Sequence, residues 1–289
     1  MNKTVSSTEA AYLRQGCEAG IREDGRSVRD HRLVSVELDV LPHLNGSSRV
    51  RIASAIEVLC SVKAEVADLP AGSLSQGALE VTANLSPSCN LKLDERRLSD
   101  VGSYLSQQLQ RVLTGSLESV LPSLVIIPSK FCWCLHIDLL ITKLDGDPLD
   151  ACSMAIYSAL KCTMIPRVEL VLGPSGAAED FEVVGSPASA TPFPADDVPI
   201  CTTFAKIGST LVIDASSSEH ACAAAALTAA VSRKGQCCGM FKLRGGGAFT
   251  EGEVATVLCD SQALAPSIFS VIDAHIARSG EGLGDTRQL

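Results

Sequence analysis

The sequence predicts an α+β protein made of two related lobes. Three observations carry that expectation. Short β-branched, alternating runs precede each long amphipathic stretch. The order of strands followed by two helices occurs twice, on either side of a segment rich in Gly, Pro, Ser and Ala. The early strands are also joined by turns too short for the crossovers of a parallel α/β sheet. With 289 residues, 46% of them hydrophobic and 20% charged, the chain has a globular composition.

The elements follow in order. Ser6 and Glu9 stand at capping-box spacing, so a helix is expected over residues 8–18, within an N-terminal helical segment 1–20. Arg22-Glu23-Asp24-Gly25-Arg26 reads as an extended arm with a turn. The first lobe, residues 21–172, opens with a β-meander. Val34, Val36, Leu38 and Val40 alternate, residues 50–66 hold two more runs broken at Ala53-Ser54-Ala55, and residues 79–85 form another strand. Leu98, Val101, Leu105, Leu109 and Val112 recur at helical spacing, which predicts a helix over 94–113 ending near Gly115. Strands are expected over 124–127 and 131–141. Asp147 then caps a helix that starts at Pro148 and runs to about Cys162, before a strand at 168–172.

Residues 173–199 contain five prolines and read as a linker or a long irregular connection. The second lobe, 200–289, begins with strands over 200–207 and 210–214. The spacing of Ser216 and Glu219, followed by an alanine-rich run, predicts a helix over 219–231, closed by Arg233-Lys234-Gly235. A strand at 239–243, the Gly245-Gly246-Gly247 loop and a last helix to about Arg278 complete the lobe, with Pro266 expected to kink or split that helix.

Composition narrows function. A net charge of −9 argues against a stand-alone protein that grips nucleic acid by bulk charge, because phosphate contacts need clustered Lys and Arg. None of the twelve cysteines has C-x-x-C spacing, and residues 1–10 lack the apolar core of a signal peptide. Free buried thiols in a reducing compartment are expected. The longest small-apolar run, residues 221–231, is far short of the ~20 residues that span a bilayer.

Four residues of potential metal chemistry, Cys132, Cys134, His136 and Asp138, share one face of a strand. Same-face neighbours on one strand stand about 7 Å apart, so the four do not converge on one ion, and no metal site or cofactor is expected. The triple glycine lacks the Lys-Ser/Thr of a phosphate loop and reads as a flexible turn. No nucleophile motif is present. Arg96 and Arg97 stand at a helix start, where cations oppose the helix dipole. Contact with RNA phosphate explains that placement, and so does pairing with Asp94, Glu95 and Asp100.

Several pieces occur in a telling order. They are Ile21-Arg22-Glu23-Asp24-Gly25-Arg26, Asp30-His31-Arg32, Gly46-Ser47-Ser48-Arg49-Val50, Ser61-Val62-Lys63-Ala64-Glu65, Asp145-Gly146-Asp147-Pro148-Leu149-Asp150-Ala151, Ile165-Pro166-Arg167-Val168, and Lys206-Ile207-Gly208 leading to Val212-Ile213-Asp214-Ala215. Together they resemble the ribonuclease PH family, and more narrowly a ring subunit of the eukaryotic exosome. The resemblance implies an RNase PH-like fold, two βαβα lobes (ribosomal protein S5 domain 2-like) in one unit.

The resemblance also implies a chemistry, residue by residue. Active members of the family cleave RNA from its 3′ end with phosphate, which a Thr-Arg pair holds at a helix start. Here those positions are Pro148 and Leu149, which offer no side-chain donor, flanked by Asp147 and Asp150, whose like charge would repel phosphate. Active members pair two acids six residues apart. Asp214 matches the first, but His220 stands at the second, and magnesium prefers oxygen ligands. The family's G-x-T turn becomes Ala53-Ser54-Ala55. The expectation is therefore a chain without catalysis. It would be a structural subunit of the exosome ring, partnered by other RNase PH-like subunits, S1/KH-type cap subunits and associated nucleases, in nucleus (including nucleolus) and cytoplasm. RNA would pass through the assembled ring near Arg96, Arg97 and Arg111. An active phosphate-dependent exoribonuclease and a free-standing thiol or metal protein remain as alternatives.

Overall fold

The computed structural model describes residues 5–69, 76–89, 94–172, 178–184, 187–243 and 245–283. Helix α1 (Ser7–Glu18) starts at the expected capping box, in which Ser6 and Glu9 bond each other's backbone amides. The first lobe is one mixed sheet built from β1 (Val34–Leu38), β2 (Gly46–Ile52), β3 (Ile56–Asp68), β4 (Ala78–Leu85), β5 (Val125–Ile127) and β6 (Phe131–Lys143). The strand order is β1-β2-β3-β6-β4, with β5 on β6. Only β4 and β6 run parallel, joined by the crossover helix α2 (Glu95–Ser116). The alternation read in the sequence is real. Leu79, Val81, Ala83 and Leu85 are buried on one face of β4, against Leu98, Leu105 and Leu109 of α2, while Glu80 and Thr82 face outward.

Helix α3 (Pro148–Cys162) is buried from Pro148 through Leu160. It leads through β7 (Met164–Ile165) to β8 (Val168–Leu172), and here the structure corrects the sequence reading. Residues 173–199 are not simply an irregular connection. Their described part contains β9 (Ala178–Val183), which forms a hairpin with β8, and β10 (Thr191–Pro192), which pairs with β7. Phe193, Ala195 and Val198 follow and enter the main core at 4%, 1% and 0% exposure.

The second lobe is an antiparallel sheet of order β12-β11-β13-β14, made of β11 (Ile200–Ile207), β12 (Thr210–Ile213), β13 (Ala225–Val231) and β14 (Cys237–Lys242). The expected helix over 219–231 is a second correction. Only Ser217–Cys222 is helical (α4), and Ala225–Val231 is a strand. Every residue of β13 is buried between β11 and β14. Alanine's helix propensity amounts to a few tenths of a kcal/mol over most residues, which the pairing of a central strand outweighs.

The last helix, α5 (Glu251–Leu283), runs through Pro266 as one element, so the expected split does not occur. Ala265, Ile268, Phe269 and Ile272 are buried around the proline and hold the helix against β1, β11 and β13. By length and hydropathy the stretch Glu251–Arg278 is apolar enough to cross a membrane. Here it packs on both sheets, with Asp273 paired to Arg233 and accepting a 2.9 Å hydrogen bond from the Tyr157 hydroxyl. The two lobes thus share one core, in which residues of α3, β6, β11, β13 and α5 interlock.

Close approach sets one position in α2. A Cβ on Gly102 would stand 2.4 Å from the Ala83 carbonyl oxygen of β4, whereas one on Gly115 of the same helix meets nothing within 4 Å. Gly102→Ala should therefore lower stability by about 1–3 kcal/mol through overpacking, and Gly115→Ala should raise it by up to about 1 kcal/mol through helix propensity. Urea midpoints of the two variants, compared with the parent, check the opposite signs.

Candidate functional site

The segment 145–150 turns from β6 into α3. Gly146 has φ 113, and a Cβ there would collide with the Ala215 carbonyl oxygen at 2.4 Å, so the turn needs glycine. Its amide donates to Ser217 Oγ at 3.1 Å, and the Ser217 amide donates to Asp145 Oδ1 at 3.1 Å. These bonds bring the start of α3 against α4. Between them, and against α2, lies a cavity of about 350 Å³. Asp147, Pro148, Tyr104, Leu105, His220 and Leu243 are among the residues that line it.

The start of α3 offers little to an anion. Pro148 has no N–H, and the Leu149 amide is already donated to Asp147 Oδ1 at 2.9 Å. The Leu149 side chain is fully buried in the core and does not reach the cavity. Burial pushes the His220 imidazole below its ordinary value, although Asp147 and Glu219 oppose the shift, so the ring is neutral at pH 7. Asp150 differs from its expected role. It does not flank the site as a repelling anion. It is buried, accepting from the Thr203 amide at 2.9 Å and the Thr203 hydroxyl at 2.7 Å. Burial, helped by Asp147, pushes its carboxyl well above the usual carboxylate range despite those bonds. Asp150 is a tie between α3 and β11.

Asp214 faces away from the cavity, into a clamp made by the 22–32 arm. It sits at φ 47, a conformation that aspartate tolerates better than most residues. Its carboxylate accepts from Arg32 Nη2 at 2.6 Å, Arg32 Nε at 2.8 Å, the Arg32 amide at 2.9 Å and Arg26 Nη1 at 3.1 Å. Burial works to raise its pKa, but the hydrogen bonds from Arg32 and the positive surroundings prevail and hold it below the ordinary value. Beside it, fully buried Arg22 grips Glu219 through Nε at 2.9 Å and Nη2 at 2.6 Å. Glu219 also completes the expected capping box with Ser216. Sequence reading took residues 22–26 for an extended arm and did not see this clamp. The signal was the density of arginine at 22, 26 and 32. A larger open hollow of about 930 Å³ beside the arm is lined by Arg26, Arg29 and Arg32, and the acids Glu23, Asp24, Asp30, Asp145 and Glu219 outnumber them there.

Arg96, Arg97 and Arg111 are exposed and form no ion pair among the described residues, so Asp94, Glu95 and Asp100 do not neutralise them. Arg97, Tyr104, Gln108 and Arg111 fall on one stripe of α2, at i, i+7, i+11 and i+14, spanning about 21 Å. Tyr104 lines the first cavity and also a neighbouring groove of about 420 Å³, which Gln108, Arg111 and Lys242 share. Lys242 and Tyr104 were not picked out from sequence, because a groove between α2 and β14 has no linear signature.

Comparison with known proteins identifies the family. Residues 30–166 match the model of the 3′ exoribonuclease family, domain 1, and residues 197–258 match its domain 2. A Dictyostelium discoideum protein provisionally named exosome complex exonuclease RRP42 is 30% identical, over 82% of this chain and 87% of its own length. The chain belongs to the ribonuclease PH family. A second relative, exosome complex component Rrp42 of Methanothermobacter thermautotrophicus, is 29% identical over 87% of this chain and 89% of its own. Among solved structures, a chain of the Archaeoglobus fulgidus exosome with RNA bound to the active site superposes with a TM-score of 0.74 at 22% identity. It covers 90% of this chain and 96% of its own. That likeness shows the fold, two RNase PH lobes in one unit. Within it, Pro148 and His220 meet at one cavity, Leu149 is core, and Asp214 belongs to the arginine clamp.

Two predictions follow from the buried charges. Arg22→Ala leaves Glu219 buried without its partner and should cost about 3–5 kcal/mol in urea unfolding, while Arg22→Met with Glu219→Gln should recover most of the loss. For Asp150, the folded carboxyl binds its proton more tightly than the unfolded one. The stability this confers is complete below the unfolded value, near 3.9, and is lost as pH rises through the folded pKa. Stability measured against pH should therefore show Asp150→Asn gaining on the parent from about pH 4 upward.

Proposed function

We propose that this chain is a non-catalytic structural subunit of an exosome core ring, supporting 3′–5′ RNA processing by ring assembly and RNA channelling. One observation carries the absence of catalysis. At the start of α3 the first residue has no N–H, the next amide is held by Asp147, and the cavity beside it holds a neutral histidine and no free cation among its described lining residues. Phosphorolysis needs a held phosphate and a stabilised transition-state charge, and this cavity supplies neither. Names of relatives support the ring role. The relatives above are named as exosome proteins, and a Schizosaccharomyces pombe protein, 34% identical over 57% of this chain, is exosome complex component rrp42.

In this reading the partners are other RNase PH-like subunits at two lateral interfaces, S1/KH-type caps on one face, and separately bound nucleases. Each stable interface would bury about 1,200–2,000 Å². RNA would run along the α2 stripe of Arg97, Tyr104 and Arg111, with Arg96 at its entrance. The location would be the nucleus, including the nucleolus, and the cytoplasm, with ribosomal RNA among the substrates.

Purified chain incubated with RNA, magnesium and phosphate should release no nucleoside diphosphate, and release would overturn the non-catalytic reading. In the assembled ring, Arg96→Ala with Arg97→Ala should weaken RNA protection while native mass spectrometry still shows the intact ring. Each lost phosphate contact lowers the slope of log affinity against log salt by about 0.7, so an unchanged slope and footprint would remove these arginines from the RNA path.

A further inference from the structure

We propose that Cys134, His136 and Glu80 form a zinc site on the outer face of the first lobe's sheet. Cys134 and His136 stand two apart on β6, so their side chains leave the same face, opposite the one that carries Leu135, Ile137 and Leu139 into the core. The parallel neighbour β4 places Glu80 directly across from His136. One ligand atom from each of the three, a thiol sulfur, an imidazole nitrogen and a carboxylate oxygen, all lie within 4.8 Å of one another. Tetrahedral zinc with bonds of 2.0–2.3 Å sets its ligands about 3.3–3.8 Å apart, so small side-chain rotations complete the contact. Of the four residues that share the β6 face, Cys132 and Asp138 lie outside this group; the third ligand comes from the next strand.

The donor set selects the metal. Sulfur with nitrogen disfavours magnesium and calcium, and one thiolate, one imidazole and one carboxylate suit zinc. The surroundings of His136 fit as well. Its Nδ1 lies 3.1 Å from Glu80 Oε2, on the side where the ion would bind. Its Nε2 lies 3.5 Å from Glu65 Oε2, across on β3, and Glu65 is itself held by Lys63. A ligating histidine typically turns its second nitrogen to a carboxylate, which orients the ring and raises its basicity. Cys134 is 4% exposed, whereas the His136 side chain is 31% exposed, so the metal would be walled in by the sheet and open to solvent at a fourth position. A bare ion pair at that exposure would contribute little. A metal would instead clip the edge strand β4 to β6, immediately before the segment that leads into α2.

The test uses the full chain with Cys237, Cys238 and Cys259 changed to serine, which removes the exposed and vicinal thiols from competition. After chelator treatment and zinc titration, one equivalent of zinc should stay bound through desalting and raise the melting temperature. Cobalt in its place should show a sulfur-to-metal charge-transfer band. Cys134→Ser and His136→Gln should each abolish stoichiometric binding while circular dichroism stays that of the parent. Glu65→Gln should weaken binding about 10–100-fold. Failure of the parent to retain zinc would overturn the site, as would undiminished binding or an unchanged cobalt band in Cys134→Ser.

Discussion

Two carboxylates, Asp214 and Glu219, are buried at the corner between β12 and α4. A buried anion is tolerated only when paired and hydrogen-bonded. Three arginines of the 22–32 arm meet that need, binding the carboxylates and also the Ile213 and Asp214 carbonyls. The arm is thereby drawn across the second lobe, and α4 is held in one orientation. That orientation brings Ser217 to Gly146 and closes the cavity at the start of α3 with His220. Arg32 reaches both Asp214 and the Asp145 carbonyl, so one side chain joins the two lobes at the site.

Helix α3 separates fold from chemistry along its length. Its body is core for both lobes, tied to β11 by Asp150 and by the Cys201 amide, which donates to Ser153 Oγ at 2.9 Å. Its first turn holds Pro148 and Leu149, neither of which offers a side-chain donor. Proline there does not disturb the body, because at the first helical position it gives up an amide that has no intrahelical partner. A first turn without side-chain donors and an intact helix body are physically compatible.

The net charge of −9 is compatible with a path for RNA because charge acts locally. Interactions between exposed charges fade beyond about 8 Å at physiological salt. Many of the acids are matched within the fold, as in Glu37 and Glu57 with Arg49 and Arg51 on the sheet face. The cations of the α2 stripe are not matched in this way, and Tyr104 adds an aromatic surface between them. A chain acidic on average can thus carry a short basic track, provided that partners supply the rest.

Much was legible from the sequence, for reasons of local chemistry. The capping boxes at Ser6 and Ser216, the Asp147 cap with Pro148, the amphipathic period of α2 and the alternation of the meander need only neighbours in the chain, and residues 94–113, 131–141 and 200–207 folded as read. Pro148, Leu149, Asp214 and His220 were visible as residues. What the sequence could not decide was where each one pointed. Ala225–Val231 became a strand because a central position in a sheet rewards pairing more than alanine's helix preference resists it. The Pro-rich segment joined the core because Phe193 and Val198 found apolar partners far away in the chain. Asp150 became a buried tie, Asp214 an arginine ligand and Glu80 a neighbour of Cys134 and His136 through contacts between strands and lobes. Periodicity and capping are local and were settled by the sequence alone; burial, ion pairing and ligand convergence depend on distances across the fold, and only the tertiary structure decided them.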